Sequence, residues 1–89
     1  MNAMINGRLY NTETASLLGR CTITQECELQ SYWEEFYRKK NGECFIYGEG
    51  GPFSKYGYYF DGQWYEGKAI IVLSETEACE WEEQNLDAD

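Results

Sequence analysis

The chain has 89 residues, of which 43% are hydrophobic and 17% aromatic, a composition that argues against disorder and predicts a single domain over residues 1–89. The net charge of −9, from 16 acidic and seven basic residues, disfavours direct binding to nucleic-acid phosphates. No apolar run could span a membrane and no signal-peptide core is visible, so we expect a cytoplasmic protein.

The N-terminal quarter predicts a short strand or tight hairpin followed by a helix. Residues 4–10 alternate weakly around Asn6-Gly7, a dipeptide that favours tight turns. Residues 11–19 contain a capping threonine, an apolar stripe and a terminal glycine. We therefore expect a helix of about two turns here, packed on the sheet.

The middle of the chain predicts the two central strands of an antiparallel sheet. Residues 25–38 alternate and gain aromatic side chains on both faces, and residues 43–47 form the returning strand. Between them we expect a hairpin turn at Asn41-Gly42, because both residues tolerate positive φ. The three glycines and the proline of residues 48–52 then end the second strand.

An aromatic segment and an apolar strand follow. Residues 53–65 hold seven aromatic side chains and a second hairpin dipeptide, Asp61-Gly62. Aromatic residues of this kind are best explained as core, although a partly exposed patch could bind another protein. Residues 67–73 are β-branched and apolar, which is typical of a buried strand.

The last segment predicts an acidic helix from residue 75 to about residue 86. Ser74 and Glu77 have the spacing of a capping box. At 100° per residue, Ala78 and Trp81 share one side with Cys79, Asn85 and Leu86, so Trp81 should dock on the sheet. The opposite side predicts an outward row of Glu77, Glu80, Glu83 and Gln84.

The cysteines and the paired acids do not indicate a reactive site. The chain has no histidine and no Cys-x-x-Cys pair, so we interpret its cysteines as small core residues, with a four-thiolate zinc site as the alternative. The pairs Glu34-Glu35 and Glu82-Glu83 show no sign of a catalytic cleft. We therefore expect no enzymatic activity, no catalytic residue, no metal and no cofactor. The cysteines are Cys21, Cys27, Cys44 and Cys79.

The charge distribution supplies the functional hypothesis. Residues 75–89 hold seven acids and no base, whereas residues 1–74 carry a charge of only −2. This surface is either a solubilising face or a mimic of nucleic-acid phosphates that binds a basic protein groove. The candidate partner-binding residues are Glu75, Glu77, Glu80, Glu82, Glu83, Asp87 and Asp89, together with the aromatic residues Tyr58, Tyr59 and Trp64.

Residues 5–14, 37–56 and 70–89 resemble a family of small acidic, mostly uncharacterised proteins from phages and conjugative elements of Gram-positive bacteria. The segment GEGGPFSKY at residues 48–56, followed by an acidic helix that begins with LSE, carries most of the resemblance. That genomic neighbourhood is rich in anti-CRISPR and anti-restriction inhibitors. The resemblance implies an inhibitor of host defence, without assigning a role to any residue.

Taken together, the sequence predicts an α+β fold. A small antiparallel sheet of about four strands carries a short N-terminal helix and an acidic C-terminal helix. The leading functional hypothesis is a non-enzymatic, anti-CRISPR-like DNA mimic that binds a basic nucleic-acid-handling protein, a CRISPR effector or its complex, and neither nucleic acid nor membrane. The alternative is an interaction or accessory module of a mobile element that uses the aromatic surface of residues 53–65, as a monomer or a dimer.

Overall fold

A computed structural model describes residues 1–85 of the chain. It contains a four-stranded antiparallel sheet, two separate two-stranded hairpins and one C-terminal helix. The elements are β1 (Asn2–Ile5), β2 (Arg8–Asn11), β3 (Ser16–Ile23), a 3-10 turn (Glu28–Gln30), β4 (Tyr32–Arg38), β5 (Cys44–Gly50), β6 (Tyr58–Phe60), β7 (Gln63–Tyr65), β8 (Gly67–Leu73) and α1 (Glu75–Asn85).

The main sheet has the strand order β3-β4-β5-β8, with every neighbouring pair antiparallel. The predicted α+β class and four-stranded sheet are therefore confirmed, with β4 and β5 in the centre. Strand β4 begins at Tyr32 rather than at residue 25, because the 3-10 turn at Glu28–Gln30 precedes it. Strand β8 lies at an edge and is only partly buried, so the prediction that residues 67–73 form a buried strand is wrong.

The helix predicted over residues 11–19 is also wrong. Residues 12–15 form a turn in which Ala15 N–H donates to Asn11 O at 3.1 Å, and β3 begins at Ser16. An isolated two-turn helix has little intrinsic stability, whereas pairing with β4 satisfies backbone groups along both strands. Leu17 and Leu18, the expected helix stripe, are instead 53% and 40% exposed, beside a register shift in β3.

Two of the predicted turn dipeptides form tight two-residue hairpins. Asn6 and Gly7 have φ angles of 52° and 77°, and they join β1 to β2. Asp61 and Gly62 have φ angles of 48° and 82°, and they join β6 to β7. Positive φ at both central residues matches the right-handed twist of the strands, which is why these dipeptides favour hairpins.

The third turn, between β4 and β5, is a hairpin as predicted but of a different kind. Only Gly42 has positive φ, at 92°, and Asn41 does not, contrary to the expectation for this dipeptide. Lys39 N–H donates to Glu43 O at 2.7 Å, and Gly42 N–H donates to Lys39 O at 2.9 Å. The connection is therefore a three-residue loop, in which glycine takes the left-handed position after a β-turn.

One face of the main sheet packs against α1. Phe36 and Ile46 lie opposite each other on β4 and β5, and both are almost completely buried. Trp81 stacks on Phe36 with ring centroids 4.8 Å apart and an interplanar angle of 15°. Ala78, three residues earlier on the helix, is also buried in this cluster, as the helical spacing predicted. The helix is therefore held mainly by its Trp81 side.

The other face of the sheet packs against the β1–β2 hairpin. Tyr10 on β2 is 3% exposed and meets Phe45 edge to face, with ring centroids 5.6 Å apart. Tyr37 stacks on the same Phe45 ring at 5.3 Å. The central strands are thus buried on both sides, which explains why β4 has apolar residues at consecutive positions.

Replacing Trp81 with alanine tests whether this ring fixes the helix. We expect Trp81→Ala to lower the free energy of unfolding by about 3–5 kcal/mol, because the buried stack on Phe36 is lost. The matched control is Trp64→Ala, which removes a ring that is 52% exposed and should cost about 1 kcal/mol or less. Urea denaturation measures both variants, and an equal loss in the two would contradict this account.

Candidate functional site

The candidate site begins with the N-terminus of α1, which a capping box fixes. Glu77 N–H donates to Ser74 Oγ at 3.1 Å, and Ser74 N–H donates to Glu77 Oε1 at 3.0 Å. The hydrogen bond from the Ser74 backbone lowers the pKa of Glu77. The predicted capping box is confirmed, and it engages one of the acids assigned to partner binding.

A buried carboxylate attaches the helix to the sheet. Glu34 on β4 accepts hydrogen bonds from Trp81 Nε1 at 3.3 Å and from the Tyr56 hydroxyl, and its Oε2 lies 2.6 Å from Lys55 Nζ. Burial alone would raise the pKa of Glu34, but these three donors outweigh burial and lower it. The charged Glu34 therefore joins β4, α1 and the loop after β5.

Gly48 makes room for this arrangement. It lies opposite Glu34 in the β4–β5 register, and a Cβ atom there would collide with the Tyr56 ring. Burial and the hydrogen bond to Glu34 raise the pKa of Tyr56, so its hydroxyl remains a donor. Gly48 thus serves packing within β5, which continues to Gly50, so the prediction that residues 48–52 end this strand is wrong for the first three of them.

The neighbouring acid, Glu35, points to the opposite face of β4. It forms an ion pair with Arg20 at 2.6 Å and accepts a hydrogen bond from the Tyr37 hydroxyl at 3.0 Å. Because alternate residues of a strand face opposite sides, Glu34 and Glu35 do not share a site. Both carboxylates are fully engaged in structural contacts, and this geometry does not form a carboxylate pair for acid–base chemistry.

A carboxylate at the β4–β5 turn pairs with basic side chains from two elements. Glu43 forms ion pairs with Arg8 at 3.0 Å and with Lys39 at 3.3 Å, and it accepts hydrogen bonds from Asn41 and Tyr10. Glu43 was not singled out by the sequence, since its partners lie on β2 and in the turn. It fixes the β1–β2 hairpin to the turn of the main sheet.

Ion pairing leaves the remaining surface acidic. Within residues 1–85, five of the seven basic side chains form ion pairs, and these pairs involve four acids. The paired bases are Arg8, Arg20, Arg38, Lys39 and Lys55. Most of the other acids in the described part of the chain therefore form no ion pair there.

Helix α1 has the densest group of such acids. The candidate residues Glu75, Glu77, Glu80 and Glu83 are exposed, and the helix contains no basic residue. Glu82 is half-buried and lies 3.6 Å from Arg38 Nη2, so it belongs to the sheet contact. Asp87 and Asp89, also assigned from the sequence, lie outside the described residues.

The aromatic residues of the β6–β7 hairpin are exposed. The prediction that these rings belong to the core is therefore wrong. Tyr58, Tyr59 and Trp64 are 52%, 60% and 52% exposed, and Phe60 and Tyr65 accompany them at 66% and 39%. A separate sheet of two three-residue strands has no buried face of its own, and sequence periodicity could not show this.

Contacts between the rings organise this hairpin. Tyr58 stacks on Tyr65 at 5.4 Å, whereas Tyr59 and Trp64 meet edge to face at the same centroid distance. Trp64 also contacts Phe53 at 5.9 Å. The structure thus brings the three predicted aromatic residues together on one hairpin.

The four cysteines differ in their burial. Cys44 is buried and Cys21 is half-buried, but Cys27 and Cys79 are exposed, so the prediction of four core cysteines is only partly right. Within residues 1–84, no three His, Cys, Asp or Glu side chains are close enough together to hold a metal ion.

A shallow groove of about 610 Å³ lies at the end of the sheet, between the 3-10 turn and β8. Carboxylates and an ammonium group both line it, including the opposed pair Glu49 and Lys68. Mixed charges in an open groove provide no specific reactive arrangement.

Comparison with protein-family models, curated proteins and solved structures gives no match. The helix of the described residues is too short and too polar to cross a membrane. The acidic surface of α1 and the aromatic hairpin contain the residues that the sequence assigned to partner binding.

A change in pH tests the role of Glu43. Hydrogen bonding from Asn41 and the surrounding cations lower the pKa of Glu43 from 4.5 to about 2. A lowered folded-state pKa stabilises the fold above the unfolded value, and this stabilisation is lost as pH falls from 4.5 towards 2. We expect the stability difference between wild type and Glu43→Gln to shrink over this window in urea denaturation. Glu13→Gln is the exposed control, and a measured Glu43 pKa near 4.5 would contradict the prediction.

Proposed function

We propose that the protein is a non-enzymatic inhibitor of a host defence nuclease, such as a CRISPR effector. The exposed carboxylates of α1 would bind the basic surface that normally holds nucleic acid. The observation that carries this proposal is the asymmetry of ion pairing among the described residues. Acids of β4 and of the β4–β5 turn pair with four cations, while the exposed acids of α1 form no ion pair within residues 1–85. Complementary potentials of this kind steer association and select a basic partner.

The spacing of the helix acids supports phosphate mimicry. Glu77, Glu80 and Glu83 follow one another at three-residue intervals, and each interval rises about 4.5 Å along an α-helix. One DNA strand carries a phosphate about every 3.4 Å along its axis, so the two charge spacings are similar. A row of this kind can face successive cations in a groove that accepts a nucleic-acid backbone.

The rigid attachment of α1 also favours binding. The capping box fixes its first turn, and Trp81 is held by both the Phe36 ring and the Glu34 carboxylate. A charged surface that is already ordered loses less conformational entropy on association. The acids are therefore presented on a fixed support rather than on a flexible tail.

Charge reversal at two positions tests the proposal. We expect Glu80→Lys/Glu83→Lys to weaken inhibition of DNA cleavage by a purified, guide-loaded CRISPR effector about tenfold or more. Glu77 is left intact because it caps the helix, and its replacement would confound binding with stability. Lysine in the second half of α1 is compatible with the helix dipole, so the fold should persist.

The matched control reverses the same number of charges elsewhere. Glu13→Lys/Glu26→Lys changes two exposed acids outside α1, and we expect near-normal inhibition from it. Circular dichroism checks that both double variants fold. Equal inhibition by the two variants, or no inhibition by the wild-type protein across a panel of CRISPR effectors and restriction nucleases, would contradict the proposal.

The exposed aromatic hairpin favours a second candidate function. A module that binds another protein through Tyr58, Tyr59 and Trp64 would use rings that supply large contact areas with few rotatable bonds. Tyrosine and tryptophan are enriched at the energetically dominant positions of interfaces. This accessory role needs no contribution from the carboxylates of α1.

Removing two of the rings distinguishes the candidates. We expect Tyr59→Ala/Trp64→Ala to leave an electrostatic complex formed by α1 almost unchanged, because these rings are not part of the acidic row. The affinity of that complex should fall steeply as NaCl rises from about 0.05 to 0.5 M. A partner lost with the rings and insensitive to salt would instead support the accessory function.

A further inference from the structure

Among the strands of residues 1–85, none pairs with the outer edge of β8. Strand β8 has seven residues, lies at the end of the sheet order and contains one charged side chain, Lys68. At the opposite edge, a register shift between Leu17 and Gly19 interrupts β3. Irregularities and charges protect strand edges against further pairing, so β8 is the less protected edge.

The hydrogen bonds at the two ends of the β4–β5 pair show which residues of β5 bond to β4 and which bond to β8. Lys39 N–H bonds to Glu43 O at one end of the β4–β5 pair, and Gly51 N–H bonds to Ser31 O at the other. Hydrogen-bonded pairs alternate with non-hydrogen-bonded pairs along an antiparallel ladder. Counting from either end, the backbone groups of Tyr47 bond to β4. The backbone groups of its two neighbours on β5 therefore bond to β8.

The same alternation determines which groups of β8 face outward. Ile46 and Gly48 bond towards β8, and their register partners are Ile71 and Ala69. The intervening residues therefore direct their backbone N–H and C=O groups away from the sheet. These outward-facing residues are Lys68, Ile70 and Val72.

We propose that a second copy of this chain pairs with that edge, β8 against β8 and antiparallel, to form a continuous eight-stranded sheet. With Ile70 on the two-fold axis, the outward groups of Lys68 meet those of Val72 in the second copy, and Ile70 meets its own counterpart. This register uses the full length of the strand, and each pair exchanges two backbone hydrogen bonds. A shift to either side leaves outward groups of β8 unpaired.

The side chains fit this register. Directly opposed residues in an antiparallel pair lie on the same face, so Ile71, which is 37% exposed, would cover Ala69 of the second copy. On the other face the two partly buried Ile70 side chains would meet. Ile71 thus contacts Ala69, and Ile70 contacts its own counterpart, as a self-complementary two-fold interface requires.

The proposed register also keeps like charges apart at this edge. Lys68 is the charged side chain of β8, and the register places it opposite Val72 rather than opposite the other Lys68. Elsewhere the two copies repel, since each carries a net charge of −9. Raising NaCl from about 0.05 to 0.5 M should therefore strengthen the dimer. The complex proposed for α1 has the opposite salt dependence, so the two proposals can fail independently.

Hydrogen exchange tests the proposed register without a mutation. At high protein concentration, we expect the amides of Lys68, Ile70 and Val72 to exchange more slowly than in dilute samples, because the dimer covers them. The amides of Ala69 and Ile71 already bond to β5 and should be protected at both concentrations. Concentration-independent exchange at all five positions would overturn the proposal.

Sedimentation with edge variants supplies the second test. Lys68→Pro removes an outward N–H without removing a bond to β5, and we expect it to weaken dimerisation about tenfold or more. Lys68→Thr keeps the N–H and should dimerise like the wild type. Thr22→Pro places the same change on the outward side of β3 and should also dimerise normally. A wild-type protein that remains monomeric up to about 1 mM, or a Lys68→Pro variant that dimerises normally, would overturn the proposal.

Discussion

The structure depends on one buried negative charge. Glu34 joins α1, β4 and the loop after β5, because each supplies or holds a group that contacts its carboxylate. An isolated buried carboxylate would be costly, but three donors, one of which is the cation Lys55, compensate for its burial. The acidic face of α1 is therefore oriented by an acid on the sheet, through the indole of Trp81 rather than through a direct charge contact.

Several elements could be predicted from local sequence because their causes are local. A turn at Asn6-Gly7 needs only residues that accept positive φ, and the start of α1 needs only Ser74 and Glu77 at the right spacing. The acidic row of α1 follows from helical periodicity, since Trp81 and Ala78 define the buried side. These features require no knowledge of distant parts of the chain.

The remaining features depend on contacts between distant segments. Residues 16–23 have no strong periodicity, and their strand state is set by pairing with β4. The rings of residues 58–65 had the composition of a core, but their short hairpin forms a separate sheet. Strand β8 has the composition of a central strand but ends the sheet order. Topology decides burial in each case, and a single sequence does not reveal topology.

An antiparallel strand edge determines where the helices of a dimer would lie. The two-fold axis between paired β8 strands is perpendicular to the sheet, so both copies of α1 would lie on the same side of it. Two acidic rows on one rigid support would make the dimer bivalent. A target with two basic sites at a matching distance would then gain avidity, since binding of the first helix raises the effective concentration of the second.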